Sequence, residues 1–167
     1  GSNVLTCSPL YKDHILHLES YTCIYQGTEK LQGKPFEVWK SKSDPLHTYI
    51  YNEEYFGRPH VYGPPHSVPF GDNHLRFAFL SSAALSYAAS TGIKFNAILG
   101  HEWGGALAGA LSQTVYKEEF GNVPFFFTVH NITYDFHVSA SEIAKIGLPP
   151  ADYNMDGYEF WGKVSLL

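Results

Sequence analysis

Two apolar runs in this chain stop at residues able to handle a hydroxyl or a sugar. FNAILG leads into His101, Glu102 and Trp103, and VPFFFTV leads into His130 and Asn131. An imidazole beside a carboxylate can orient a hydroxyl or stabilise developing positive charge, and an indole face can stack on a sugar ring. The His130-Asn131 pair offers hydrogen bonds at the end of a strand, where polar groups stay solvated. Each cluster also has a plain structural reading: His101 turned into the core, Glu102 set against a helix N-terminus, Trp103 packed, Asn131 in a left-handed turn. HEWGG is not a zinc-protease motif, because the second histidine of HExxH would fall on Gly105.

The elements that would position these residues follow from the pattern around them. Between the clusters lies WGGALAGALSQTVYKEEF, with small and apolar residues at helical spacing, so Phe95 to Asn131 reads as strand, crossover helix, strand. Such units are parallel and almost always right-handed, which puts both histidines on one rim of one sheet. Phe125 to Val129 is apolar enough to be a central strand buried on both faces. Upstream, Ile15 to Gln26 and Lys34 to Lys40 are expected to pair as a hairpin across GTEKLQG, with further strands at Asn3 to Pro9 and Leu46 to Tyr51. Glu53 to Gly71 is rich in proline and glycine and is expected to be irregular. Its Tyr55, Phe56, Arg58, His60 and Tyr62 form an aromatic and basic set suited either to a ligand or to anchoring the loop.

Asp72 is placed to cap a helix over the following residues, with Leu75, Phe79, Ala83 and Tyr87 on one face and a salt bridge near its start accounting for Asp72, Asn73 and Arg76. A short helix is expected around Ser141 to Lys145, and MDGYEFWGKVSLL reads as the opening turns of an amphipathic helix that is cut off. Taken in order, the elements predict one α/β domain over residues 1–167: Rossmann-like, with a mainly parallel sheet and an appended β-hairpin.

Composition narrows the function. The chain has 167 residues, a net charge of −5 and eleven basic residues against sixteen acidic ones, which argues against a nucleic-acid surface. No stretch approaches the length of a membrane span, and Cys7 and Cys23 lack the spacing of a metal site, so a reduced intracellular protein acting on a neutral or sugar-like ligand is expected. Phosphate-binding loops of the GxGxxG or GxxxxGK[ST] kind are absent from the sequence, as is a GxSxG elbow.

The ordered set YNEEYFGRPHVYG, FGDNHLRFAFLSSAALSYA, ILGHEWGGALAGAL, TVHNITY and YEFWGKVSLL resembles the N-terminal half-domain of bacterial and plant glycogen/starch synthases of the ADP-glucose type. The resemblance implies the acceptor-side half of a GT-B retaining glucosyltransferase that moves glucose from ADP-glucose to the non-reducing end of an α-1,4-glucan without a cofactor or metal ion. It implies catalytic roles for His130, Glu102 and Asn131, and substrate-binding roles for Trp103, His101, Tyr55, Phe56, Arg58 and Tyr134. The nucleotide sugar would be bound mainly by a C-terminal domain outside this chain, so the chain alone is expected to be inactive. Nucleic acid and membrane are not expected partners, and the location implied is the bacterial cytoplasm or, in a plant, the plastid.

Glu102 stands where the family has aspartate, one methylene longer, an offset of about an ångström that would cost roughly a hundredfold where geometry is critical. Asp135 and Phe136 replace a glutamine and a glycine. A noncatalytic glycan-binding or regulatory relative therefore stands as an alternative, and a metal-dependent hydrolase built on His101, Glu102 and His130 as a weaker one.

Overall fold

The structure is a computed structural model and describes residues 4–15, 17–44, 46–131 and 137–165. Strand-forming residues in its first third build a four-stranded sheet: β1 (Thr6–Pro9), β2 (Tyr21–Thr28), β3 (Pro35–Ser41) and β4 (His47–Tyr51). The order is β1-β4-β3-β2, with β1 parallel to β4 and the other pairs antiparallel. The expected hairpin is β2–β3. Its turn is organised from within by Glu29, which is 1% exposed and accepts from the backbone N–H of Leu31, Gln32 and Lys34 at 2.8–2.9 Å and from the Ser82 hydroxyl at 2.5 Å. A buried carboxyl group is tolerable only when its acceptors are filled in this way.

Alternation gives this sheet an inner face of Phe36, Val38 and Ile50, covered by Phe79 and Ala83 of the long helix α2 (Asn73–Ser90). α2 is buried on more than one side. Phe77 and Ala78 point into a second cluster and Leu85 into a third, and its alanines and serines leave room for close neighbours. Before α2 the chain forms a single helical turn, α1 (Glu53–Phe56), where an irregular segment was expected. The Asn52 side chain accepts from Tyr55 N–H at 3.1 Å, and this cap starts the turn before proline and glycine take over.

The strand–helix–strand unit is present as β5 (Ile98–His101), α3 (Glu102–Gln113) and β6 (Phe125–Thr128), with a further turn of helix α4 (Lys117–Phe120) between. β5 and β6 are parallel, and His101 lies opposite Thr128. This pair forms a sheet separate from the first, and a cavity of about 430 Å³ lies between β1 and β5, floored by α2 and α3. β6 is not covered on both faces as expected: Phe126 is 57% exposed, and Leu99 beside it is 56% exposed. α3 covers one side only, and no described element lies on the other.

The C-terminal helix expected over MDGYEFWGKVSLL is instead a hairpin of β8 (Glu159–Phe160) and β9 (Lys163–Ser165), joined to β7 (His137–Ser139) in the order β7-β9-β8. Trp161 and Gly162 both have positive φ, 51° and 78°, which closes a two-residue hairpin turn and is incompatible with a right-handed helix. The short helix expected around Ser141 to Lys145 is present as a 3-10 helix over Ala140–Ile146, which carries Ile143 and Ile146 into the cluster around Trp103.

Candidate active site at two strand ends

The approach of α3 to β5 is set by glycine. A Cβ built on Gly100 would lie 2.5 Å from the Gly105 carbonyl oxygen and 2.7 Å from the Phe125 ring, and one on Gly109 would lie 2.6 Å from the same ring. Only hydrogen fits at these two positions, so the helix can begin directly beneath the strand end. The turn from β5 into α3 passes through Glu102 at φ 56°, in the left-handed region that a non-glycine residue occupies at a cost of roughly 1 kcal/mol.

The outcome is a bridge between the two strand ends. His101 Nδ1 and His130 Nε2 are 2.9 Å apart, with parallel rings at 7° and centroids 5.2 Å apart. One of these nitrogens must carry a proton and the other must not. The Glu102 carboxylate accepts from the backbone N–H of His130 at 2.5 Å and of Asn131 at 3.1 Å. His101, His130 and Asn131 are exposed, Glu102 is half-buried, and His101 and Glu102 also line the cavity beside β1. A polar rim of this kind can hold a hydroxyl-rich ligand by donated and accepted hydrogen bonds. Among the described residues no group of three or more His, Cys, Asp or Glu is placed to hold a metal ion.

Other residues singled out in the sequence lie elsewhere. Trp103 is 1% exposed, packed 4.8 Å from Phe77 and 6.0 Å from Tyr62. Its indole is a core element, and the sugar-stacking face expected of it is filled by protein. Tyr55 and Phe56 are likewise corrected from binding loop to core, at 3% and 0% exposure, because α1 turns them onto Phe79. Burial raises the Tyr55 phenol to about 12, and its hydroxyl donates to Gln32 at 2.7 Å.

Arg58 makes a two-pronged ion pair with Asp72 at 2.8 and 2.6 Å, and this hydrogen bonding holds the Asp72 carboxyl below its usual range. Asp72 therefore does not cap α2 with its side chain. Arg76 is not in the salt bridge expected for it: fully buried, it donates to the carbonyls of Tyr55 and Val61 at 2.8 and 2.7 Å and to Asn73 at 2.6 Å, tying the loop to α2. Tyr134, Asp135 and Phe136 lie outside the described residues. Sequence reasoning named both histidines but missed their direct bond. The signal was there in principle, since each ends one of two adjacent parallel strands.

A family model for the starch synthase catalytic domain matches residues 1–167. The chain is 36% identical to glycogen synthase 2 of Geobacter metallireducens over 124 residues, which is 71% of this chain and 25% of that protein. It is 30% identical to the glycogen synthase of Aquifex aeolicus over 170 residues, covering 100% of this chain and 35% of the relative. Among solved structures, the catalytic domain of starch synthase IV from Arabidopsis thaliana, bound to ADP and acarbose, superposes with a TM-score of 0.80 at 22% identity, over 98% of this chain and 35% of that one. That likeness is one of fold, and it bears out the Rossmann-like α/β, GT-B class expected from the sequence. The chain thus spans between a quarter and about a third of the length of these relatives. With the family model matched from its first residue to its last, the chain belongs to the starch synthase catalytic domain family.

Proposed function

We propose that the protein carrying this chain is a retaining glucosyltransferase that moves glucose from ADP-glucose to the non-reducing 4-hydroxyl of an α-1,4-glucan. The bond between the anomeric carbon and the diphosphate oxygen breaks, a bond from that carbon to the acceptor oxygen forms on the same face, and the acceptor proton passes to the departing phosphate. No strong nucleophile is required, only groups held in place around an oxocarbenium-like sugar.

The observation that carries this reading is the joining of His101-Glu102 to His130-Asn131 at one exposed rim, in a chain whose relatives are named glycogen synthases. On it, residues 1–167 form the acceptor-facing half of a cleft, His130 and Asn131 hydrogen-bond the reacting sugar, and His101 fixes the His130 ring. The donor is held mainly by another part of the protein. Bacterial relatives support a cytoplasmic setting; for a plant source it would be the plastid. None of the described helices is long and apolar enough to cross a membrane.

The test is glucosyl transfer from ADP-glucose to maltoheptaose by the full-length protein and by its His130→Ala variant. Turnover that falls on the order of a thousandfold in the variant supports the reading. Glucan binding without turnover by the unaltered protein would overturn it in favour of a noncatalytic glycan-binding relative.

A further inference from the structure

We propose that Glu102 is a positioning residue: its carboxylate completes the β5–β6 ladder by holding the His130 and Asn131 amides, and does not itself meet the sugar. The consequence for transfer rests on the glucosyltransferase reading above; the positioning itself does not.

β5 offers main-chain acceptors to β6 only as far as the pair His101–Thr128. One residue later the chain has turned into α3, and the next donors on the β6 side face no strand. Glu102 supplies the missing acceptor from its side chain. A single oxygen, Oε1, takes both successive N–H groups, at 2.5 and 3.1 Å. The left-handed backbone at Glu102, φ 56°, belongs to the same turn, and such a conformation in a non-glycine residue persists where its surroundings fix it.

His130 is consequently gripped twice, at its main chain by Glu102 and at its ring by His101 Nδ1. Two separate attachments leave the imidazole little freedom to turn. The Oε1 that takes these two amides has little capacity left for a substrate hydroxyl, and holding the chain after β6 ties the whole side chain to one place.

This gives a meaning to the methylene by which Glu102 exceeds an aspartate. The extra length was expected to misplace a catalytic group. In the structure the side chain reaches from the end of β5 to the backbone amides of His130 and Asn131, just past the end of β6.

Charge and geometry are separated by substitution, because glutamine keeps an acceptor oxygen at the same reach and loses the charge. In the full-length protein, hydrogen–deuterium exchange over a peptide covering His130 and Asn131 is expected to quicken by about tenfold in Glu102→Ala and to stay near the unaltered rate in Glu102→Gln. In the same variants, Glu102→Ala and Glu102→Asp are expected to lower kcat by roughly thirtyfold or more with little change in KM for the glucan, while Glu102→Gln keeps kcat within about fivefold and leaves the pH profile unmoved.

If Glu102→Gln loses as much kcat as Glu102→Ala while its amides stay protected, the charge acts at the sugar and the proposal is overturned. Unchanged exchange in Glu102→Ala overturns it as well. Should the unaltered protein show no transfer, the glucosyltransferase reading fails, and the exchange measurements still decide the positioning role.

Discussion

The hairpin sheet and the two-stranded sheet beside it are made of similar apolar residues and end in opposite states. Phe36, Val38 and Ile50 are closed off beneath α2, whereas Leu99, Phe126, Phe127 and Val129 remain between 37% and 57% exposed on β5, β6 and the turn after it. The difference is one of cover, since α3 lies on a single side of the second sheet. It shows that stability and candidate chemistry are lodged in different layers: the closed layer is tied by Glu29 and Arg76, and the open layer carries the histidine rim.

Breaking the closed layer should have the largest effect. Phe79→Ala removes a fully buried ring from between Tyr55 and Phe56 and is expected to cost about 3–5 kcal/mol in chemical unfolding. A loss below about 1 kcal/mol would mean that this layer is not the stable one. Next comes Glu29→Ala, expected to cost about 3 kcal/mol because three part-buried backbone donors and the buried Ser82 hydroxyl lose the acceptor they share. Exchange of the Leu31, Gln32 and Lys34 amides should quicken in that variant, and slow exchange there would count against Glu29 as the organiser of the β2–β3 turn.

Arg58→Ala is expected to cost about 1 kcal/mol, since the pair with Asp72 is partly exposed. The sign with pH follows from Asp72, whose carboxyl is lowered in the fold by Arg58. The contribution is present above roughly pH 4 and is lost as pH falls through the lowered folded value. Unfolding curves of the two proteins should therefore converge in acid; a gap that widened there would contradict the assignment. Smallest of all should be Phe126→Ser, on the open face, at less than about 0.5 kcal/mol. A cost near that of Phe79→Ala would erase the contrast between the layers.

Legibility in the sequence followed the same division. The β2–β3 hairpin, the β5–α3–β6 unit and the histidines at its strand ends could be read because periodicity and turn residues act locally. Burial of Trp103, Tyr55 and Phe56 could not, since an aromatic residue after a strand or in a proline-rich stretch has the same signature whether it faces solvent or Phe77 and Phe79. The exchange of partners around Asp72 was hidden for a related reason: Arg58 and Arg76 are both within reach, and only packing chooses between them. The terminal hairpin was misread because Trp161 is an unusual occupant of a left-handed turn position. The bonds from the Glu102 carboxylate to two backbone amides were not legible, because those amides lie 28 and 29 residues away in the chain.

Gly100 and Gly109 carry no functional group, yet they constrain how this molecule can vary. Every missense change in a glycine codon introduces a Cβ, and at these two positions that atom would fall within 2.5–2.7 Å of a carbonyl oxygen or the Phe125 ring. Neither position has a neutral neighbour in codon space unless strand and helix part slightly, and parting them disturbs the turn that leads from His101 into α3. A genetic screen for lost activity should therefore return these glycines alongside the histidines, although neither glycine has a side chain of its own.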